Sequence, residues 1–326
     1  KTWSLEDYYN IVNPNVLQQI NHIHFCGNFG DPILNKSLPE MCEYTTRHNP
    51  DIEIRIHTNG SARSTKWWKK LAQSLPQNGL IVFALDGLED THHLYRVNTN
   101  YHHVIKNAQT VMNNGAKAEW VFIKFKHNEH QVDEARQRAN DLGFKKFTVK
   151  NTNRFVGSNQ FDVRDSQGNV RYYLEPPTDN EVSFIDQSVV DQVDDWVNKA
   201  RIKCKAHADK EVYVDAYKRL FPCCFLASAP YYYVPSDSIT YSLKERIVRE
   251  NKQLLDKLGG LNKIKINENQ SMKEIINSYE WQSVWWKQWE EKQLLTCARI
   301  CGVADKKLFS QPSEQFVERN NFDRQD

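Results

Sequence analysis

Short apolar segments alternate with amphipathic segments along the first half of the chain. Apolar runs of strand length occupy 22–28, 51–60, 79–87, 117–128 and 145–151, and a segment with helical periodicity lies between each run and the next. This alternation is typical of a parallel β-sheet whose strands are joined by crossover helices. We therefore predict an α/β domain over residues 1–155.

The pattern changes beyond this domain. Residues 156–199 are polar and contain adjacent prolines, which indicates a connector. Residues 200–326 contain a strand that ends in Pro-Cys-Cys, a charged helical segment and a tryptophan-rich helix. Trp281, Trp285 and Trp289 recur at intervals of four and predict one helix face that packs in the core of this second domain. We expect the polar tail after residue 310 to fray.

Composition and charge exclude several classes of protein. Lys and Arg number 43 against 41 Asp and Glu, a net charge of +2, so no general basic field for nucleic acid is expected. No apolar run reaches the roughly 18 residues of a membrane-spanning helix. We therefore expect neither a membrane nor a nucleic-acid partner. The chain opens without a signal-peptide pattern, so we expect a cytoplasmic protein in which seven cysteines do not form a disulfide scaffold.

Polar motifs follow four of the predicted strands. They are GNFGDP (27–32), HTNG (57–60), LDGLEDTHHLYR (85–96) and KHNE (126–129). Parallel sheets bind ligands at the carboxyl ends of their strands. A glycine turn allows backbone carbonyls to approach an ammonium group, and an acidic side chain adds charge complementarity. The motifs therefore predict a binding site at this edge of the sheet.

In this order, the motifs resemble those of the radical S-adenosylmethionine (SAM) superfamily. GNFGDP is similar to the family's GGEP motif with Asp in place of Glu, and HTNG is similar to its TNG motif. LDGLEDTHHLYR is similar to the family's SIDG…H…R segment, which follows the next strand. The resemblance implies that Arg96 reaches the SAM carboxylate and that Asn128 contacts the ribose or adenine. The cofactor-binding residues it implies are Gly30, Asp31, Pro32, Thr58, Asn59, Gly60, Asp86, Arg96 and Asn128.

The cysteines beyond residue 200 resemble the auxiliary-cluster extension known as SPASM, or its shorter twitch form. In that pattern a hairpin ends in Pro-Cys-Cys, and Lys218 stands where the family usually has Gly. Four thiolates suffice for a [4Fe–4S] cluster or for a zinc site, and the sequence leaves iron and zinc open. Cys224 is expected to pack inward or to substitute for its neighbour. The ligands that the resemblance implies are Cys204, Cys223, Cys297 and Cys301.

One motif of the superfamily does not occur. The CxxxCxxC loop, which holds the catalytic cluster after the first barrel strand, has no counterpart in this sequence. We expect a partial (β/α)6 radical-SAM barrel that lacks its first strand, followed by a small C-terminal α+β auxiliary-cluster domain. The chain is then either a fragment or a naturally shortened relative, and a second [4Fe–4S] cluster is expected only with the upstream loop.

The resemblance implies a radical SAM enzyme, or part of one, that generates a 5′-deoxyadenosyl radical to modify a peptide or protein. A reductase or a ferredoxin-type electron donor is the expected partner. The alternative is a non-catalytic, degenerate SAM-fold protein that holds an iron–sulfur cluster or zinc and acts in electron transfer or partner binding. The sequence identifies no catalytic residue.

Overall fold

The computed structural model describes residues 1–28, 30–152, 155, 160–179, 187–228, 241–291, 294–303 and 316–322. The chain divides into two compact units. The sheet unit comprises 2–155, 159–180 and 315–326, and the cysteine unit comprises 181–314 with Lys1 and 156–158.

A six-stranded sheet organises the sheet unit, in the order β1-β2-β3-β4-β5-β12. The first five strands are parallel, as the alternation of strands and helices predicts. β12 pairs antiparallel with β5. The strands are β1 His22–Phe25, β2 Glu53–Thr58, β3 Leu80–Ala84, β4 Lys117–Ile123, β5 Lys146–Lys150 and β12 Phe316–Asn321.

The position of β12 differs from the expectation of a frayed tail after residue 310. Its backbone pairs with β5 from Phe316↔Lys150 to Asn321↔Lys146 and so completes that edge of the sheet. The segment FVERNN is mostly polar, which is compatible with an edge strand because edge strands tolerate charged side chains. The polar composition of the segment therefore gave no indication of this strand, which forms by pairing with β5.

Helices connect the parallel strands and cover one face of the sheet. Ser4 begins the first helix in a capping box with Asp7, and Pro14 opens the second at its first position, where a missing N–H costs nothing. Short 3-10 helices span Pro32–Leu34 and Glu129–Gln131. The α-helices are α1 Leu5–Ile11, α2 Pro14–Leu17, α3 Leu38–His48, α4 Thr65–Ser74, α5 His92–Tyr95, α6 Tyr101–Met112 and α7 Val132–Leu142.

The two faces of the sheet differ in chemistry because successive side chains of a strand point to opposite sides. One face carries buried apolar side chains that pack on the helices, among them Ile56, Phe83 and Trp120. The residues next to these in sequence place polar side chains on the other face, including His57 and Glu119. The helix-covered face is thus the core, and the opposite face is available for polar contacts.

A hairpin follows the last parallel strand, inside the segment expected as a connector. β6 Phe161–Arg164 pairs antiparallel with β7 Val170–Leu174. Phe125, Phe155, Val163 and Leu174 form a small apolar cluster beside it. This cluster attaches the hairpin to the end of β4.

The cysteine unit is a small α+β arrangement of helices with two short antiparallel strand pairs, β8 with β11 and β9 with β10. Trp281 and Trp285 are buried on one helix, as their spacing predicts, and the side chain of Trp289 lies outside the described part of the structure. None of the described helices has the length and apolar character needed to cross a bilayer. The elements are α8 Gln187–Lys199, β8 Arg201–Ile202, α9 Lys205–Ala208, β9 Tyr213–Val214, β10 Leu220–Phe221, α10 Cys224–Ser228, α11 Tyr241–Lys257, α12 Met272–Asn277, α13 Tyr279–Glu291, α14 Leu295–Cys301 and β11 Gly302–Val303.

Candidate functional site

The motifs after β1 and β2 are joined through the carboxylate of Asp31. One carboxylate oxygen, Oδ2, accepts from the backbone N–H of Asn59 at 2.7 Å and from the hydroxyl of Thr58 at 3.0 Å. The other oxygen accepts from the N–H of Ile33 at 3.1 Å and so caps the 3-10 helix that begins at Pro32. Asp31 therefore fixes both strand ends in one rigid arrangement.

Glycines shape this edge of the sheet in two different ways. Gly60 has φ +69°, and a Cβ there would come within 2.8 Å of side-chain atoms of Phe83 and Val104, so the backbone requires glycine. Gly30 instead faces open space, since no described residue other than its chain neighbours lies within 4 Å of the position that a Cβ would take. A ligand can therefore approach the backbone beside Gly30.

The third motif places a buried acid beneath an arginine. Asp86 is fully buried, and its carboxylate accepts from the backbone N–H of Ile123 and from Nε of Arg96, each at 2.6 Å. Burial opposes the charge of the Arg96 guanidinium, but Asp86, Tyr95 and Asp31 outweigh it and raise the pKa of Arg96. Arg96 is thus held charged within the electrostatic reach of both acidic residues.

His92 positions this pair and was not among the sequence-based candidates. The backbone N–H of Asp86 donates to Nδ1 of His92 at 3.3 Å, and His92 Nε2 lies 2.8 Å from the hydroxyl of Thr99. That hydroxyl donates to the carbonyl of Arg96. Burial lowers the pKa of His92 to about 4, so the ring is neutral and these bonds assign its proton to Nε2. A histidine in a loop motif gave no sequence indication of this role.

Asn128 lies beyond the end of β4, just before the 3-10 helix Glu129–Gln131, with its amide directed into the protein. Its Nδ2 donates to the carbonyls of Asp86 and Ile123, and its Oδ1 accepts from the N–H of Phe125 at 2.7 Å. Both polar atoms of the amide therefore have internal partners, and the side chain holds the ends of β3 and β4 together. Contact with a ribose or adenine stays a prediction.

The polar face of the sheet contains a pair of histidines that the sequence interpretation also omitted. The rings of His24 and His57 lie 4.5 Å apart on adjacent strands. Burial, with the charges of Arg55 and Lys150, lowers the pKa of His24 to about 4 and that of His57 to about 3. Nε2 of His57 is buried without a hydrogen-bond partner among the described residues. Both rings are therefore neutral at pH 7. In HIHF and EIRIHT these histidines alternate with apolar residues, and this alternation was the sequence's indication that they lie on the polar face of the sheet.

Four cysteines line one cavity of the cysteine unit, and they are the four that the resemblance selects. The cavity is small, with a volume of about 20 Å³. The described lining does not include Cys224. Cys297 and Cys301 lie one turn apart on α14 and so share a helix face. The lining cysteines are Cys204, Cys223, Cys297 and Cys301.

The turn that precedes this cavity has the geometry that a glycine would favour. Lys218 lies between β9 and β10 with φ +65°. The carboxylate of Asp215 accepts from the N–H groups of Tyr217 and Arg219 and stabilises the turn around it. The chain thus keeps a left-handed turn at the position where the resembling pattern usually has Gly.

Thiols are suitable donors for a metal centre, but in this structure the four cysteines do not surround a common metal position. The Cys301 thiol donates to the sulfur of Cys204, which lowers the pKa of Cys204 to about 6, while burial raises the pKa of Cys223 to about 11. Within the described ranges, no three His, Cys, Asp or Glu side chains form a ready metal-binding group. Four thiols facing one largely apolar cavity nevertheless fit the donor set of a [4Fe–4S] cluster or of zinc.

Comparisons with known proteins show the fold. No family model and no curated protein matches the chain. A solved structure of anSMEcpe with bound AdoMet matches at 13% identity and TM-score 0.50, over 95% of this chain and 81% of that one. SuiB of Streptococcus suis bound to S-adenosylmethionine matches at 12% identity and TM-score 0.45, over 76% and 61% of the two chains. HemN of Escherichia coli, a radical SAM enzyme, matches at 15% identity and TM-score 0.35, over 41% and 32%.

The likeness to anSMEcpe over most of both chains shows that this chain shares the α/β fold of that protein, with a mostly parallel sheet at its centre. This confirms the predicted fold class. At 13% identity the likeness carries the fold and not the chemistry, which depends on the residues of the site.

Proposed function

We propose that the chain is a radical SAM enzyme, or part of one, that binds SAM at the strand ends of the sheet unit and a [4Fe–4S] cluster in the cysteine unit. The observation that carries the proposal is the network on three consecutive strand ends, in which Asp31 joins the first two motifs and Asp86 holds Arg96. A buried acid that orients an arginine at the ligand-binding edge of a parallel sheet is suited to an anionic group.

Each residue of the network has a defined part in holding a zwitterionic ligand. The open backbone beside Gly30 offers carbonyl oxygens to an ammonium group, and Asp31 contributes negative charge nearby. The guanidinium of Arg96, oriented through its Nε by Asp86, offers its terminal nitrogens to a carboxylate. SAM bound here supplies the radical chemistry, and the chain supplies orientation and exclusion of water.

For the cysteine unit we propose that Cys204, Cys223, Cys297 and Cys301 hold the auxiliary cluster. The apolar lining of their cavity limits access of water, which tunes the reduction potential of such a group. A cluster there would relay an electron or bind the substrate. A reductase or ferredoxin-type protein is the proposed electron donor, and a peptide or protein is the proposed substrate, on the strength of the SPASM/twitch resemblance.

The donor set also supports a second candidate function. Four thiols bind zinc as readily as iron, so a non-catalytic protein of this fold with a structural zinc ion is the alternative. Such a protein would bind a partner, and its strand-end network would be structural.

Binding of SAM to the purified chain tests the first part of the proposal. We expect calorimetry to detect binding to the wild type, and we expect Asp31→Asn and Arg96→Gln each to weaken it by about tenfold or more, the equivalent of at least about 1.4 kcal/mol. Asp51→Asn makes the same chemical change at an exposed position and should bind as the wild type does.

Two results would count against the SAM site. Absence of binding by the wild type would remove it altogether. Equal affinity of Asp31→Asn and Asp51→Asn would show that the Asp31 network serves the fold alone. Thermal melting of each variant separates lost binding from lost folding.

A further inference from the structure

A buried indole N–H in the cysteine unit has no hydrogen-bond partner among the residues that the structure describes. Trp285 lies on α13, is 3% exposed and lines the cavity of the four cysteines. Its Nε1 is fully buried and bonds to none of the described residues. The N–H group therefore lies in the interior without an acceptor in the described part of the unit.

Such a group calls for a physical explanation. Leaving a buried donor unsatisfied is energetically costly, and buried tryptophans usually find an acceptor for the N–H. Most of the cavity around Trp285 is hydrocarbon, for example Pro222, Phe225 and Leu226. The polar lining consists of the four cysteines and Thr296, whose hydroxyl already accepts from Asn251. Apart from Trp285 itself, four of the five polar side chains in the described lining carry sulfur, so sulfur is the acceptor that this cavity offers most often.

We propose that the indole N–H of Trp285 donates a hydrogen bond to a sulfur atom of the [4Fe–4S] group held by the four cysteines. The inference rests on the proposed function of the cysteine unit. Trp285 is then a positioning residue that tunes the cluster without ligating iron. A reduced cluster carries one more negative charge than an oxidised one, so an N–H donor stabilises the reduced form and raises the reduction potential.

Trp281 supplies a matched control in the same helix. It is equally buried, and its ring meets that of Trp285 edge-on at 5.7 Å. It lines a different cavity, formed with Leu258, Ile264 and Ile275 among others. Replacement of Trp281 removes an indole from the same helix but removes no N–H donor from the cysteine cavity.

The experiment measures the reduction potential of the cluster in the full chain, purified without oxygen, by titration followed with electron paramagnetic resonance. We expect Trp285→Phe to keep its iron and sulfide and to have a more negative potential than both the wild type and Trp281→Phe. Equal potentials in the two variants would overturn the inference while leaving the cluster in place. Absence of iron and sulfide from the wild type would overturn the proposed cluster and this inference together.

A second measurement tests the hydrogen bond if the Trp285→Phe variant fails to hold the cluster. The chain is labelled with ¹⁵N at the indole nitrogen of tryptophan, and the reduced cluster is examined by pulsed electron paramagnetic resonance. A hydrogen bond from Trp285 predicts a ¹⁵N coupling in the wild type that persists in Trp281→Phe. Absence of the coupling in both proteins would overturn the inference.

Discussion

Replacement of Asp86 by Asn tests whether the buried acid organises the strand ends. The carboxylate accepts two hydrogen bonds of 2.6 Å, one from the N–H of Ile123 and one from Nε of Arg96. Asparagine has a single acceptor oxygen, so one of these donors would face an amide N–H instead. The guanidinium of Arg96 would also lose its ion pair.

The size of the effect follows from burial. Breaking a buried ion pair by removal of one partner costs about 3–5 kcal/mol. Asp86 is fully buried and the Arg96 side chain is 23% exposed, so water compensates the arginine in part. We therefore expect the lower end of that range, a loss of about 3 kcal/mol in the free energy of unfolding.

Denaturant unfolding followed by circular dichroism measures this loss. Asp90→Asn makes the same change four residues away, at an exposed side chain that accepts from Gln131, and should cost less than about 0.5 kcal/mol. If Asp86→Asn cost no more than this control, the carboxylate would not organise the site, and the argument that Asp86 holds Arg96 for a ligand would fail.

Two further predictions concern the backbone and the polar face. Gly60→Ala should destabilise the fold by about 2–4 kcal/mol, because it places a side chain on a left-handed residue and against Phe83. Gly115→Ala, at a positive φ but facing open space, should cost about 1 kcal/mol. Equal losses of unfolding free energy would refute the steric part of this argument. The pKa of His57 is about 3 in the folded state, below the ~6.5 of an unfolded chain. Below about pH 6.5 the unfolded state therefore binds a proton that the folded state does not, and the protein becomes less stable as the pH decreases. His57→Gln should flatten the fall in melting temperature between about pH 6.5 and 4, exposed His103→Gln should not, and identical profiles would contradict this reasoning.

The sequence was most informative where local pattern and tertiary structure agree. The five parallel strands and their helices follow from apolar periodicity, and the motifs at the strand ends lie together because parallel strands end at the same edge. The four cysteines, selected by resemblance, line one cavity. Each of these features depends on residue types at short spacings, which a sequence displays.

The features that the sequence missed depend on partners far away in the chain. β12 is a strand because it pairs with β5, more than 160 residues earlier, and not because of its composition. His92 acts through the burial of its ring beside Asp86, and only the folded structure shows that the N–H of Trp285 is buried without an acceptor among the described residues. Burial and hydrogen-bond satisfaction are properties of the folded chain, so periodicity and spacing could not have revealed them.

The most direct test of the central claim is the metal and acid-labile sulfide content of the chain, purified without oxygen. A four-cysteine cluster predicts about four irons and about four sulfides per chain, and it predicts their loss when Cys297 is replaced by Ser. Replacement of Cys224 by Ser, outside the described lining of the cavity, should leave both contents unchanged. About one zinc without sulfide would instead identify a structural site and contradict the proposed iron–sulfur chemistry.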